Sequence, residues 1–259
     1  MKRLSILLLI ACFVFVFSAV KLQAAELMAA WSFDNDTDED VTDVTGNGHD
    51  GVGVNTVIVD GKFGKAMEFD GETSRVEIEH DEVLNFTDGV TVEAWVNPSG
   101  FNDLSAVAQK WGDASNRRQY LLCFVADKVR FYMSGVGNTW PSAESTSQVP
   151  TGEWTHIAGT YDGETIRVFI NGEMETETNN AETNQGLFGS DIPVWIGGYG
   201  PDDEFAGNRH YPGIVDEVRF WDNALSEDEI QAGMNRSTAN ITAVSATDKL
   251  CSVWAEIKK

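Results

Sequence analysis

Beyond residue 25 the chain runs in short segments of period-2 character, apolar on alternate positions and punctuated by Gly, Asn and Asp. This is the pattern of half-buried strands in a sandwich or barrel. Strands are predicted over residues 27–33, 66–70, 75–78, 91–96, 120–125, 128–133, 154–161, 165–170, 173–178, 194–199 and 214–221. In the segment 91–96, Val92, Ala94 and Val96 point one way, while Thr91, Glu93 and Trp95 point the other. One face there has to accept a carboxylate and an indole. Asp162-Gly163 and Asn171-Gly172 each separate two strand segments, and such dipeptides favour type I′ turns in which both central residues have positive φ. The three segments from 154 to 178 therefore form an antiparallel meander, with Ile166, Val168 and Ile170 on its buried side and Phe169 opposite. One helix is predicted over 227–234, because Ser226 supplies an N-cap, Glu229 the capping-box partner and Ile230 the apolar face.

The first residues change the picture of where the protein acts. Lys2 and Arg3 precede an apolar run over residues 4–20, and the small residues Ala24 and Ala25 follow, which is the layout of an export signal. Two alternatives stay open. The apolar run is 17 residues long, at the margin for an uncleaved anchor, and Leu9-Ile10-Ala11-Cys12 resembles a lipoprotein box, although the apolar run continues past Cys12. The expected organisation is a signal over 1–25, a folded domain over 26–234 and a C-terminal extension over 235–259, with no membrane span left after signal cleavage. Export leaves Cys123 and Cys251 as potential disulfide partners, with a buried free thiol at Cys123 as the other reading.

Composition narrows the partners. With 41 acidic against 18 basic residues, a formal net charge of −23 argues against a nucleic-acid or anionic-membrane binder. Hydrophobic residues make up 42% of the chain, so the acidity does not imply disorder.

Several ordered motifs resemble the LamG-like branch of the concanavalin A-like lectin/glucanase superfamily. They are Trp31-Ser32-Phe33-Asp34, the loop Gly46-Asn47-Gly48-His49-Asp50-Gly51, and Gly64-Lys65-Ala66-Met67-Glu68-Phe69-Asp70-Gly71. Thr91-Val92-Glu93-Ala94-Trp95-Val96 follows, then Glu153-Trp154-Thr155-His156-Ile157-Ala158-Gly159-Thr160-Tyr161-Asp162-Gly163 and Val168-Phe169-Ile170-Asn171-Gly172. The series ends with Val215-Asp216-Glu217-Val218-Arg219-Phe220-Trp221 and Ala224-Leu225-Ser226-Glu227-Asp228-Glu229-Ile230. The resemblance implies an all-β fold, a two-sheet antiparallel jelly-roll sandwich of concanavalin A-like type with one short C-terminal helix. It also implies a structural calcium ion, with Asp34 and Asp216 as ligands and the Gly71 carbonyl and the Gly46-Asn47-Gly48 loop as further donors. The run from Asp34 to Asp40 is not an EF-hand loop, since Glu39 and Thr45 stand where Gly and Glu are needed.

The superfamily contains both binding modules and glycoside hydrolases, so chemistry has to be argued residue by residue. Glu68-Phe69-Asp70-Gly71-Glu72 matches a hydrolase-like ExDxE string, and two carboxyl groups on one continuous strand can face one cleft. Here the strand is expected to stop, because Asp70-Gly71-Glu72-Thr73 reads as a turn. No GxSxG elbow and no metal-ligand spacing of histidines is present. Sugar binding uses aromatic faces and hydrogen-bonding side chains; the candidates are Trp111, Arg118, Tyr120, Trp140, Tyr199, His210 and Tyr211, with Asn116, Arg117 and Arg209 beside them. Glu93, Glu217 and Arg219 are expected to form cross-strand ion pairs at exposed positions. The expected function is that of a secreted or surface lectin-like module, calcium-stabilised, binding a glycan or another extracellular ligand without chemical conversion; the partner is a carbohydrate or an extracellular protein. A protein-binding adhesion or scaffold module is the alternative, and a divergent glycoside hydrolase a third reading.

Overall fold

The alternation in the sequence closes into two antiparallel sheets stacked face to face. The computed structural model describes residues 25–112, 118–134, 139–179, 190–201, 207 and 209–238. Residues 1–24 of the predicted export signal, Asn116, Arg117, Cys251 and the chain from residue 239 onward lie outside the described residues. Among the described residues no helix is long and apolar enough to cross a membrane.

The strands follow one another as β1 (Leu27–Trp31), β2 (Asp40–Val41), β3 (Gly51–Val54), β4 (Val57–Asp60), β5 (Lys65–Asp70), β6 (Arg75–Ile78), β7 (Val90–Pro98) and β8 (Ser105–Trp111). The second half contributes β9 (Arg118–Val125), β10 (Lys128–Met133), β11 (Ser142–Glu144), β12 (Thr155–Tyr161), β13 (Thr165–Ile170), β14 (Glu173–Asn179), β15 (Val194–Ile196) and β16 (Pro212–Trp221), and then α1 (Glu227–Met234). The first sheet has the order β14-β13-β12-β7-β16-β5-β4, with β1 also paired to β16. The second has the order β11-β10-β9-β8-β15-β6-β3-β2. All-β jelly-roll architecture with one short helix is what the motifs implied.

The core fills the space between the sheets. Val92, Ala94 and Val96 of β7 meet Leu122 and Phe124 of β9 and Phe131 of β10, and all are fully buried. Each of the Val, Leu and Phe side chains among them contributes roughly 1.5–3 kcal/mol through burial. The sheets approach so closely that a β-carbon on Gly159 would overlap the Phe131 ring. The Asn171-Gly172 turn has φ of 50° and 79°, the predicted type I′ geometry. The Asp162-Gly163 turn differs: only Gly163 has positive φ. Asp162 Oδ1 instead accepts the N–H groups of Glu164 and Thr165 at 3.0 and 2.8 Å, closing a three-residue loop.

Helix α1 begins with the predicted capping box, Ser226 Oγ accepting from Glu229 N and the Glu229 carboxylate accepting from Ser226 N. Glu227, Asp228 and Glu229 in the first turn complement the positive end of the helix dipole. Its one buried side chain, Ile230, packs with Ala158, Phe169 and Leu225 on the outside of the first sheet. Packing continues past Met234, since Thr238 is fully buried against the same face. Residues 235–238 thus pack along the outer face of the first sheet.

Candidate functional site

The outer face of the second sheet is organised by simple alternation. In β9, Tyr120, Leu122 and Phe124 enter the core, which turns Leu121 and Cys123 outward. In β10, Val129, Phe131 and Met133 enter the core, and the intervening Arg130 and Tyr132 face out. Leu121, Cys123, Ala106, Trp111 and Tyr199 form a second apolar cluster outside the sandwich, with Leu104 and Tyr132 packed against it. Cys123 is buried there; its Sγ–H donates to the Arg130 carbonyl at 3.6 Å, and burial pushes the thiol well above its ordinary range.

Above this floor lies a cleft of about 210 Å³ lined by Leu104, Trp111, Arg118, Leu121, Tyr132, Trp140 and Arg209. The Arg118 guanidinium stands 4.6 Å from the Trp140 ring centre and 5.6 Å from that of Trp111, so it is stacked against both indoles. Its Nε–H donates to the Gly112 carbonyl at 2.9 Å, which fixes the guanidinium plane. Trp111 and Tyr132 lie 5.9 Å apart in a tilted pair. Trp140 is 46% exposed, an unusually open position for an indole. Arg130 is the third guanidinium nearby, and it is paired with Glu144 and donates to the Tyr132 hydroxyl at 2.6 Å.

Of the residues proposed from sequence for ligand contact, Trp111, Arg118 and Trp140 come together in this cleft. The other four do not. Tyr120 is a core residue between Phe86 and Phe220, and its hydroxyl donates to the Leu84 carbonyl. Tyr211 is likewise in the core, stacked on Phe124 at 6.0 Å. Tyr199 is buried in the cluster beneath the cleft. His210 is 4% exposed, with Nδ1 held 3.1 Å from the Ser74 carbonyl. These four sit in or beside short segments that look like loops in the sequence and are pinned by neighbours remote in it. Tyr132 was missed, although the alternation over 128–133 placed it outward, beside Arg130.

The outer face of the first sheet is chemically rich but covered. Glu93, His156 and Arg219 are each at most 1% exposed, as is Glu217. Arg219 reaches Glu217 at 2.9 Å and Glu93 at 3.5 Å, and Glu93 also receives the Trp221 Nε1–H at 3.0 Å and faces His156 Nε2 at 3.2 Å. Burial acts to raise the Glu93 carboxyl, but His156, the Arg219 charge and Trp221 outweigh it and hold the group at about 2. The expected ion pairs are therefore present, but they are buried, because the end of α1 and the chain after it cross over them: Gly233 and Arg236 carbonyls accept from Arg219, and Thr238 N–H donates to Glu217 at 2.6 Å.

Asp34 and Asp216 are also brought together, at a break in the sheet. β1 pairs with residues 218–221 of β16 and β5 with residues 212–215, so the edge of β16 changes partner at Asp216. The β7 side carries a bulge at the same point, where Glu217 has φ 54°. The β4–β5 turn closes the gap: Phe63 N–H donates to Asp216 Oδ2 and Lys65 N–H to Asp34 Oδ1, both at 2.9 Å. Gly64, with φ 56°, is required here because a β-carbon would overlap Asp34 Oδ1. Asp216 Oδ1 is buried without a hydrogen-bond partner. Burial pushes the Asp216 carboxyl up to about 8 against the Phe63 hydrogen bond, and the charges of Glu217 and Asp34 push it in the same direction.

The remaining donors expected for calcium do not join this pair. The Gly71 carbonyl accepts from Asn102 Nδ2 at 2.9 Å, and Gly71 lies against Pro212, four residues along β16 from Asp216; at strand rise that is about 13 Å. The Gly46-Asn47-Gly48 loop folds around Asp43, and Asn47 Nδ2 donates to the Met28 carbonyl at the opposite end of β1. Among the described residues no three His, Cys, Asp or Glu side chains form a metal cage. The ExDxE string also has a structural use. β5 ends at Asp70, whose Oδ1 accepts the N–H groups of Glu72, Thr73 and Ser74 at 2.8–2.9 Å. Partial burial acts to raise that carboxyl, but these bonds hold it well below the usual range.

A two-sheet jelly-roll with an aromatic cleft outside one sheet has the architecture of a concanavalin A-like domain. A family model for this group, Laminin_G_3 of the Concanavalin A-like lectin/glucanases superfamily, matches residues 70–231, and the chain belongs to that family. No curated protein matches the chain in sequence. Among solved structures it is similar to domain 4 of AbnA, a GH43 extracellular arabinanase from Geobacillus stearothermophilus, solved in complex with arabinotriose. The identity is 23% and the TM-score 0.62, over 80% of this chain and 98% of that one. It is also similar to the binding domain of Paraclostridial Mosquitocidal Protein 1 (16% identity, TM-score 0.64, 80% of this chain) and to that of botulinum neurotoxin serotype G (11%, 0.61, 80%). The chain spans about half the length of these two toxin domains, 51% and 50%.

Proposed function

We propose that this protein is an exported, non-catalytic binding module that takes a carbohydrate into the cleft on the outer face of the second sheet. The observation that carries the reading is the convergence of Trp111, Tyr132 and the half-exposed Trp140 around the fixed Arg118. Apolar faces of sugar rings pack on such aromatic surfaces, and polar side chains then orient the hydroxyls. The solved relative with arabinotriose bound supports a saccharide over a protein ligand, and the charged and apolar layout of residues 2–25 supports export.

A structural calcium ion at Asp34 and Asp216 completes the reading. The orphaned Asp216 Oδ1 and the proximity of two carboxylates suit a hard divalent cation, with main-chain carbonyls and water as the other ligands. When bound, calcium supplies the charge that lets both carboxylates stay ionised while Phe63 and Lys65 N–H groups hold them in place. A panel of neutral and acidic oligosaccharides titrated into the mature protein, followed by tryptophan fluorescence, tests the binding reading. Saturable binding weakened about tenfold by Trp140→Ala is expected. Saccharides without effect would leave the protein-binding adhesion reading in its place. Melting with calcium and with chelator tests the ion: the account expects a calcium-dependent rise in Tm that Asp216→Ala abolishes.

A further inference from the structure

We propose that an apolar groove on the outer face of the first sheet is the docking site of this chain's own residues 250–257. The groove, about 500 Å³ in volume, lies between β13, β14 and the first turn of α1. Phe169 and Leu225, which pack with Ile230, form its floor, and Met174 forms a wall. Met174 is 46% exposed, and a methionine side chain adapts to whatever packs on it. Asp162, Glu227 and Glu229 also line the groove, and Arg167 is paired with Asp162 at 2.6 Å. The described lining thus sets three carboxylates against one guanidinium around an apolar floor.

Pattern, charge and reach name the occupant. Residues 250–257 lie outside the described residues, but in their sequence Leu250, Val253, Trp254 and Ile257 recur at i, i+3, i+4 and i+7. That spacing predicts one apolar helix face. Lys249, Lys258 and Lys259 flank the stripe, with Glu256 the one acidic residue over 249–259, in a chain where acidic residues outnumber basic ones 41 to 18. A basic, apolar segment is complementary to a groove with an apolar floor and a negative rim. The chain also sets out from the right face, since Thr238 is buried there against Arg219 and Glu217. α1 has eight residues, so the groove at its first turn is about 12 Å back along the helix. The twelve residues 239–250 span up to about 40 Å, enough to return over that distance. Docked there, the segment continues the cover that α1 and residues 235–238 already lay over the first sheet.

Hydrogen exchange of the full mature chain, read by mass spectrometry at two protein concentrations, compares the wild type with Met174→Asp and Trp254→Asp. Melting curves check that each variant folds, and Met174 is half-exposed, so its replacement spares the core. The expected result is slowed exchange over residues 250–257 in the wild type, independent of concentration, and faster by at least about tenfold in both variants. Rapid exchange throughout 250–257 in the wild type, or slowed exchange that Met174→Asp leaves in place, would overturn the docking. Protection that grows with protein concentration would give the groove to the segment of a second copy and overturn docking within one chain. The groove and the saccharide cleft lie on different sheets, so none of these outcomes bears on saccharide binding.

Discussion

The two outer faces of the sandwich use the same residue types to opposite ends. On the first sheet Glu93, His156, Glu217 and Arg219 are sealed beneath α1 and residues 233–238, every charge facing a partner. On the second sheet Trp111, Arg118, Tyr132 and Trp140 line an open cleft, with nothing from the described chain laid across it. Whether the aromatic and charged side chains of a face stay exposed is therefore decided by what covers that face, not by their own chemistry. The cover on the first sheet comes from a segment distant in sequence.

Removing the central charge of the covered face has the largest expected effect. Arg219→Ala leaves Glu93 and Glu217 buried without their counter-ion and should lower stability by about 3–5 kcal/mol, read from urea unfolding. Trp140→Ala in the cleft, at a half-exposed position, should change it by less than about 0.5 kcal/mol. Equal effects would erase the distinction between the two faces.

Acid sharpens it next. Glu93 has an ordinary value of 4.5 and is held at about 2 in the folded protein. Its stabilisation is complete above the unfolded value, and it is lost as pH falls from about 4.5 through about 2, where the folded carboxylate finally takes up its proton. In Glu93→Gln the fall in stability across that window should be shallower by up to one proton, as measured by urea midpoints at several pH values. An unchanged slope would mean that Glu93 does not carry this coupling.

The cover itself is tested by its cap. Ser226→Ala removes one arm of the capping box and should cost about 1 kcal/mol. Because α1 lies over the first sheet only, saccharide affinity at the cleft should be unaffected. The smallest effect on stability is expected at Trp140, where alanine replaces a half-exposed indole; there the change appears in binding instead.

Much of the fold was legible in the sequence, because alternation and turn residues act locally. Arg75–Ile78, Lys128–Met133, Thr165–Ile170 and the helix Glu227–Met234 have the predicted bounds. β8 was missed since all seven of its residues are buried, the outer face being covered as well as the inner, and no alternation survives. β3 was missed because Gly51-Val52-Gly53-Val54 is short and carries little side chain. Site residues were harder. Whether Tyr120 and Tyr211 enter the core or face solvent depends on register, and a shift of one position reverses it. Asp34 and Asp216 were placed by motif, and their meeting follows from β1 and β5 sharing one edge of β16. Gly71 belongs to the other end of that edge, a fact that depends on strand register rather than on motif order.

Backbone hydrogen exchange with and without the bound saccharide tests the central claim most directly. The account predicts slowed exchange in residues 104–111, 118–125 and 128–133 around the cleft, with residues 155–161 and 165–170 of the first sheet unchanged. Protection centred on the first sheet, or no protection at a saturating concentration of a saccharide that binds, would contradict it.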